Sequence, residues 1–287
     1  MSDWTDIIDG VIDHVNLLRE LGERSVEIDP AVMASWGAPA PKAPPPGPAS
    51  GGPASPPPAA PLFALPSAPA SAPLPAAAAP ALSPEARRKA LAEIAARADA
   101  CDACPLRQNR TCSVPGQGNP DSPDVMFIGE APGAEEDLQG LAFVGAAGQF
   151  LTKMIQAMGY SRDEVFIANI CKCRPPNNRA PQPEEMQKCL PFLREQIGIV
   201  KPKTIVLLGG TAIKGLLDTQ VGVTRLQGQW TKYDSIPVMP TFHPAYILRF
   251  ESCGDATGLK AAKTQVWNAL KLVLAYLGKP VPAPKKA

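Results

Sequence analysis

Two segments of this 287-residue chain concentrate thiols. Cys101 and Cys104 form a C-x2-C pair, and Cys171, Cys173 and Cys189 fall within NICKCRPPNNRAPQPEEMQKC, residues 169–189. Thiolates gathered in fours hold zinc or an iron–sulfur cluster. Zinc ribbons repeat the short C-x2-C knuckle, whereas Cys173 and Cys189 are spaced C-x15-C. An iron–sulfur cube accepts irregular spacing, because separate segments can reach its corners. The pattern favours a four-thiolate site over buried apolar cysteines and leaves zinc and iron–sulfur both open. Cys171 ends an apolar run, where side-chain alternation sends it to the same face as Cys173. Parity therefore does not choose between them.

A second group of residues suits a flat heterocycle. GEAPG (129–133) carries two glycines whose backbone can approach a ligand closely, although a plain tight turn uses the same residues. Phe143, between glycines in GLAFVGAAGQ (140–149), offers a ring for stacking or for core. Asn169 carries a carboxamide that both donates and accepts hydrogen bonds. His243, one of only two histidines, precedes Pro244 and taken singly reads as a structural residue. Together these four can stack on, hydrogen-bond to and polarise a planar ring.

Positioning them requires a scaffold, and the apolar pattern supplies one. Four short β-rich runs stand out: DVMFIGE (124–130), EVFIANI (164–170), KTIVLLGG (203–210) and IPVMPTFHP (236–244). Helical patterns occupy 146–159 and 183–200 between the first three runs, and 261–278 after the fourth. Ser83 suits an N-cap and Pro84 the first position of a further helix that delivers the chain to Cys101. Continuous apolar strands alternating with helices predict an α/β fold, a parallel sheet covered on both faces. Ligands of such sheets gather at the carboxyl ends of the strands. Those ends are 129–133, 169–176, 209–212 and 242–246, and they hold the GEAPG loop, Asn169 and His243.

The rest of the chain has a different composition. Residues 37–83 contain 16 Pro, 16 Ala and a single charge, Lys42, which predicts a disordered, extended linker. The arm, residues 1–36, carries 2 basic and 8 acidic residues. Its segment 4–21 places Trp4, Ile7, Ile8, Val11, Val15, Leu18 and Leu21 on one helical stripe, to dock on a protein partner or fold back on its own domain. Residues 84–287 carry 25 basic and 19 acidic residues, a balance compatible with nucleic acid without requiring it. No signal peptide is evident, and no apolar run reaches the ~18 residues of a membrane span. The expectation is a cytoplasmic, nucleoid-associated protein, monomeric and off the membrane, whose thiols stay reduced.

GEAPGAEED, FVGAAGQ, NICKCRPPNNRAPQPEE…C and HPAYILR, in this order over about residues 98–277, resemble the family-4 uracil-DNA glycosylases, which carry an iron–sulfur cluster. The resemblance implies a three-layer α/β/α fold with a central four-stranded, mostly parallel sheet, as a domain spanning 84–287. It implies a [4Fe-4S] cluster held by Cys101, Cys104, Cys173 and Cys189. Cys171 then stands where relatives usually have an apolar residue, and Cys112 and Cys253 are bystanders. The implied reaction is hydrolysis of the bond joining uracil to deoxyribose in single- or double-stranded DNA. Gly129, Glu130, Pro132 and Gly133 would line the base pocket, Phe143 stack on the base, Asn169 read its edge and His243 face O2.

Glu130 is the implied water-positioning group. Better-known uracil glycosylases have an aspartate one position later, where this chain has Ala131, and Gly133 replaces their thymine-excluding tyrosine. Pro244, Tyr246 and Arg249 resemble a loop that presses into the minor groove, and Lys172, Arg174 and Arg179 are expected phosphate contacts. Residues 209–230 hold no basic insertion of the covalent uracil-trapping kind. The remaining alternative is a non-catalytic, DNA-binding iron–sulfur accessory of a DNA polymerase.

Overall fold

The computed structural model describes residues 82–282, so the expectations for the arm, and for the linker up to residue 81, lie outside it. Six strands form one sheet: β1 (Gln117–Gly118), β2 (Val125–Gly129), β3 (Phe166–Asn169), β4 (Thr204–Leu208), β5 (Thr231–Tyr233) and β6 (Ile236–Thr241). Their order is β1-β3-β2-β4-β6-β5. The four central strands are the four apolar runs and pair parallel; β1 and β5 add antiparallel edges. The expected four-stranded sheet thus gains two short edge strands. Neither QG nor TKY is long enough to show a period in sequence.

Eight α-helices surround the sheet among the described residues. They are α1 (Pro84–Ala100), α2 (Ala134–Gln139), α3 (Ala146–Ala157), α4 (Pro183–Val200), α5 (Gly210–Leu217), α6 (Val223–Leu226), α7 (Pro244–Ser252) and α8 (Ala256–Tyr276). Strand alternation sorts the core into two layers. Val125 and Phe127 of β2, with Val206 and Leu208 of β4, face the apolar sides of α3, α7 and α8. Met126 and Ile128, with Ile205 and Leu207, face α4 and α5. Both faces of β2, β3 and β4 are therefore dry. Ser83 caps α1 by accepting from Ala86 N at 3.2 Å, with Pro84 in the first turn. No helix among the described residues is long and apolar enough to cross a membrane.

The segment after His243 is a helix where a loop was expected. Pro244 sits in the first turn of α7, where its missing N–H costs nothing, and His243 caps the helix.

Candidate functional site

Strands β2 and β3 end side by side, with Gly129 opposite Asn169 in the register. A side chain on Gly129 would collide with the Phe143 ring and with Asn169 Oδ1, so only glycine lets these two meet over the strand end. Asn169 is 1 % exposed, and its Oδ1 has no hydrogen-bond partner among the described residues. A buried acceptor without a partner at a strand end is a candidate contact for a donor from outside the chain. The Phe143 ring, itself buried, lies 5.7 Å from the His243 ring at 33°. Pro132 is buried beneath the same loop, while Glu130 and Gly133 remain partly accessible.

His243 is fixed by its own cap. Its Nδ1 accepts from Ala245 N at 3.1 Å, which leaves the proton of the neutral ring on Nε2. Burial lowers its pKa to about 4, and the charge of Arg249 adds to the shift. The start of a helix also disfavours a cation. At neutral pH the residue is therefore an uncharged Nε2–H donor.

Two residues that sequence reasoning missed organise this pocket. Glu136 at the start of α2 is buried and accepts backbone hydrogen bonds from Gly133, Val144 and Gly145. Its only sequence signal is the capping-type spacing of a glutamate three residues after Gly133. Gln196 of α4 bridges Lys172 Nζ at 2.7 Å and the Pro115 carbonyl at 2.7 Å. Nothing in the sequence marks it.

Lys172 corrects an expectation. It is 1 % exposed, and its ammonium donates to the Asn169 carbonyl at 2.9 Å and to Gln196 Oε1. Burial lowers its pKa to about 8. An ammonium held inside the fold cannot reach a DNA phosphate; it supports the backbone of Asn169 instead. The other basic candidates lie nearer the surface. Arg179 is exposed but paired with both Glu185 oxygens at 2.8 and 2.7 Å, and Arg174 Nε donates to Asn178 at 2.8 Å. Tyr246 is half-exposed and stacks on Phe242 at 4.8 Å, Pro244 is buried, and Arg249 is exposed on α7.

Cys101, Cys104, Cys173 and Cys189 line one small pocket together with Arg107 and Phe192. Arg110 Nη1 donates to Cys173 Sγ at 2.8 Å, and Lys172 N donates to Cys189 Sγ at 3.1 Å. Such donors favour thiolate sulfur, as hydrogen bonds to metal-bound sulfur do. Burial pushes the Cys104 and Cys173 thiols up. Cys171 is fully buried among apolar side chains and hydrogen-bonded to Cys189, which raises its own pKa and lowers that of Cys189. Among the described residues, no three His, Cys, Asp or Glu side chains are grouped to hold a metal ion. Cys253 is exposed and far in sequence from the other thiols, and Cys112 lies outside the pocket lining.

At the ends of β2, β3 and β6 the fold thus gathers an aromatic ring, a carboxamide oxygen without a partner and a neutral histidine, groups able to stack on and hydrogen-bond a flat ring. Residues 115–271 match the uracil DNA glycosylase superfamily. A type-4 uracil-DNA glycosylase of Thermotoga maritima is 46 % identical over 168 residues, 58 % of this chain and 87 % of the relative. That of Sulfurisphaera tokodaii is 46 % identical over 157 residues, 52 % and 71 % of the two chains. That of Pyrobaculum aerophilum is 45 % identical over 158 residues, 52 % and 80 %. The chain belongs to the uracil-DNA glycosylase superfamily, within its type-4 branch.

Proposed function

We propose that this protein hydrolyses the N-glycosidic bond of uracil in DNA, releasing free uracil and leaving an abasic site as the first step of base excision repair. The observation that carries the reading is the buried, partnerless Oδ1 of Asn169 set against Gly129 and Phe143. A uracil turned out of the stack would slide against the Phe143 ring. Asn169 would accept from N3–H and donate to O4. Cytosine offers the opposite order and would leave buried polar groups unpaired.

Cleavage leaves the bonding electrons of the C1′–N1 bond on the base. His243 would donate from Nε2 to O2 and spread that charge, and a neutral donor avoids holding a fixed cation in the pocket. The start of α7 adds the positive end of a helix dipole. The sugar becomes cation-like, and the Glu130 carboxylate would stabilise it and orient the water whose oxygen joins C1′. Arg174, Arg179, Arg249 and Tyr246 form the proposed DNA-facing rim, with Pro244 anchoring the turn that carries Tyr246.

Cys101, Cys104, Cys173 and Cys189 would hold a [4Fe-4S] cluster, which when bound supplies iron–thiolate links between the segment after α1 and the segment around α4. The catalytic domain begins near Leu82, and the arm is the segment left for a protein partner. Incubating the protein with a uracil-containing oligonucleotide and measuring free uracil tests the function. Binding without release would favour the polymerase-accessory reading.

A further inference from the structure

Glu136 touches no base in the scheme above, yet its carboxylate ties two loops of the pocket together. Oε2 accepts from Gly133 N at 3.1 Å, and Oε1 accepts from Val144 N and Gly145 N, both at 2.8 Å. Phe143 directly precedes these two amides and has φ 54°, a left-handed conformation that a bulky aromatic residue avoids. Such backbone persists only where its surroundings over-determine it. On the other side of Phe143, Ala142 N donates to Gln117 Oε1 at 3.3 Å, and Ala142 O accepts from Arg162 Nη2 at 2.8 Å. A side chain on Gly148 would overlap the Phe143 carbonyl, so the turn is closed from below as well.

We infer that Glu136 is a positioning residue: it holds Phe143 in its left-handed backbone, ring against Asn169 and Gly129, before a base arrives. Its third hydrogen bond couples that ring to the GEAPG loop carrying Glu130. The inference rests on the uracil reading of the pocket. An aromatic wall ordered in advance removes the cost that a mobile loop would impose on every binding event.

Glu136→Gln keeps the size of the side chain but replaces one acceptor oxygen by an NH2 group, so three amides can no longer be satisfied. Backbone amide exchange in residues 142–146 should accelerate, and inhibition by free uracil should weaken on the order of tenfold with a matching drop in uracil release. Because Glu136 acts through Phe143, the same change in a Phe143→Leu background should cost less than about twofold. Glu135→Gln, on the exposed neighbour, should alter none of these. Should Glu136→Gln fail to fold, Glu136→Asp keeps the charge but is too short to span both loops, and should show the same effects. Unchanged exchange and uracil inhibition, or equal losses in both backgrounds, would overturn the inference. A wild-type protein that neither releases nor binds uracil would instead sink the reading of the pocket, while amide exchange would still decide whether Glu136 holds the loop.

Discussion

Asn169→Asp changes one atom's identity at the residue proposed to read the base. The side chain is 1 % exposed, so the new carboxyl group sits in a dehydrated site. Above its pKa it has lost the donor facing O4 and sets a full charge against that oxygen. An unpaired buried partner costs about 1–3 kcal/mol, and more when charged. A loss of at least ~100-fold in uracil release follows, equivalent to about 2.7 kcal/mol in the barrier. Burial also disfavours the charged form, raising the aspartate above its ordinary value of about 3.9. As pH falls, the carboxyl group takes up a proton. Its O–H then donates to O4 while its carbonyl accepts from N3–H, so activity should return. Below about pH 7 the wild type should stay level, because His243 takes up its proton only at about 4 and Lys172, lowered to about 8, keeps its ammonium. Single-turnover uracil release from pH 8 to 5 is the assay, with cluster absorbance and melting temperature as checks on folding. A folded Asn169→Asp protein that excises uracil at the wild-type rate at pH 8 would refute the placement of Asn169 in the pocket.

His243→Ala should lower the single-turnover rate by about 10²–10³-fold, the usual loss of one preorganised donor. His243 also predicts a stability profile. The unfolded chain takes up its proton near pH ~6.5, whereas the folded chain does so only at about 4. Its contribution is complete above the unfolded value and is lost as pH falls toward the folded one, a slope that His243→Gln should flatten in thermal melts. Cys173→Ser should bleach the broad absorption near ~400 nm expected of a thiolate-bound iron cluster, whereas Cys171→Ser should retain it; colourless wild-type protein with one zinc would overturn the cluster. A chain beginning near Leu82 should fold and excise uracil from short oligonucleotides at close to the full-length rate, and loss of that activity would move the domain boundary.

The four central strands and their carboxyl ends were legible because buried parallel strands read as short, unbroken apolar runs. Asn169 and His243 stood out as polar groups where such runs stop. Lys172 was misread because, in sequence, a lysine beside Arg174 is indistinguishable from a surface cation. Its burial depends on Gln196 of α4 and on a backbone carbonyl of β3, partners that only the folded chain brings near. Glu136 escaped for the same reason: two of its three amide partners lie across a loop. The His243–Tyr246 segment read as a loop because a proline in the first turn of a helix looks, in sequence, like one that breaks it.

The central claim is hydrolysis of a uracil–deoxyribose bond by the chain's own pocket. It is tested most directly by treating a uracil-containing oligonucleotide with the protein and weighing both products. The account predicts free uracil and an abasic strand with a hydroxyl group at C1′, with the protein's mass unchanged. An intact strand, or a strand covalently attached to the protein, would contradict it.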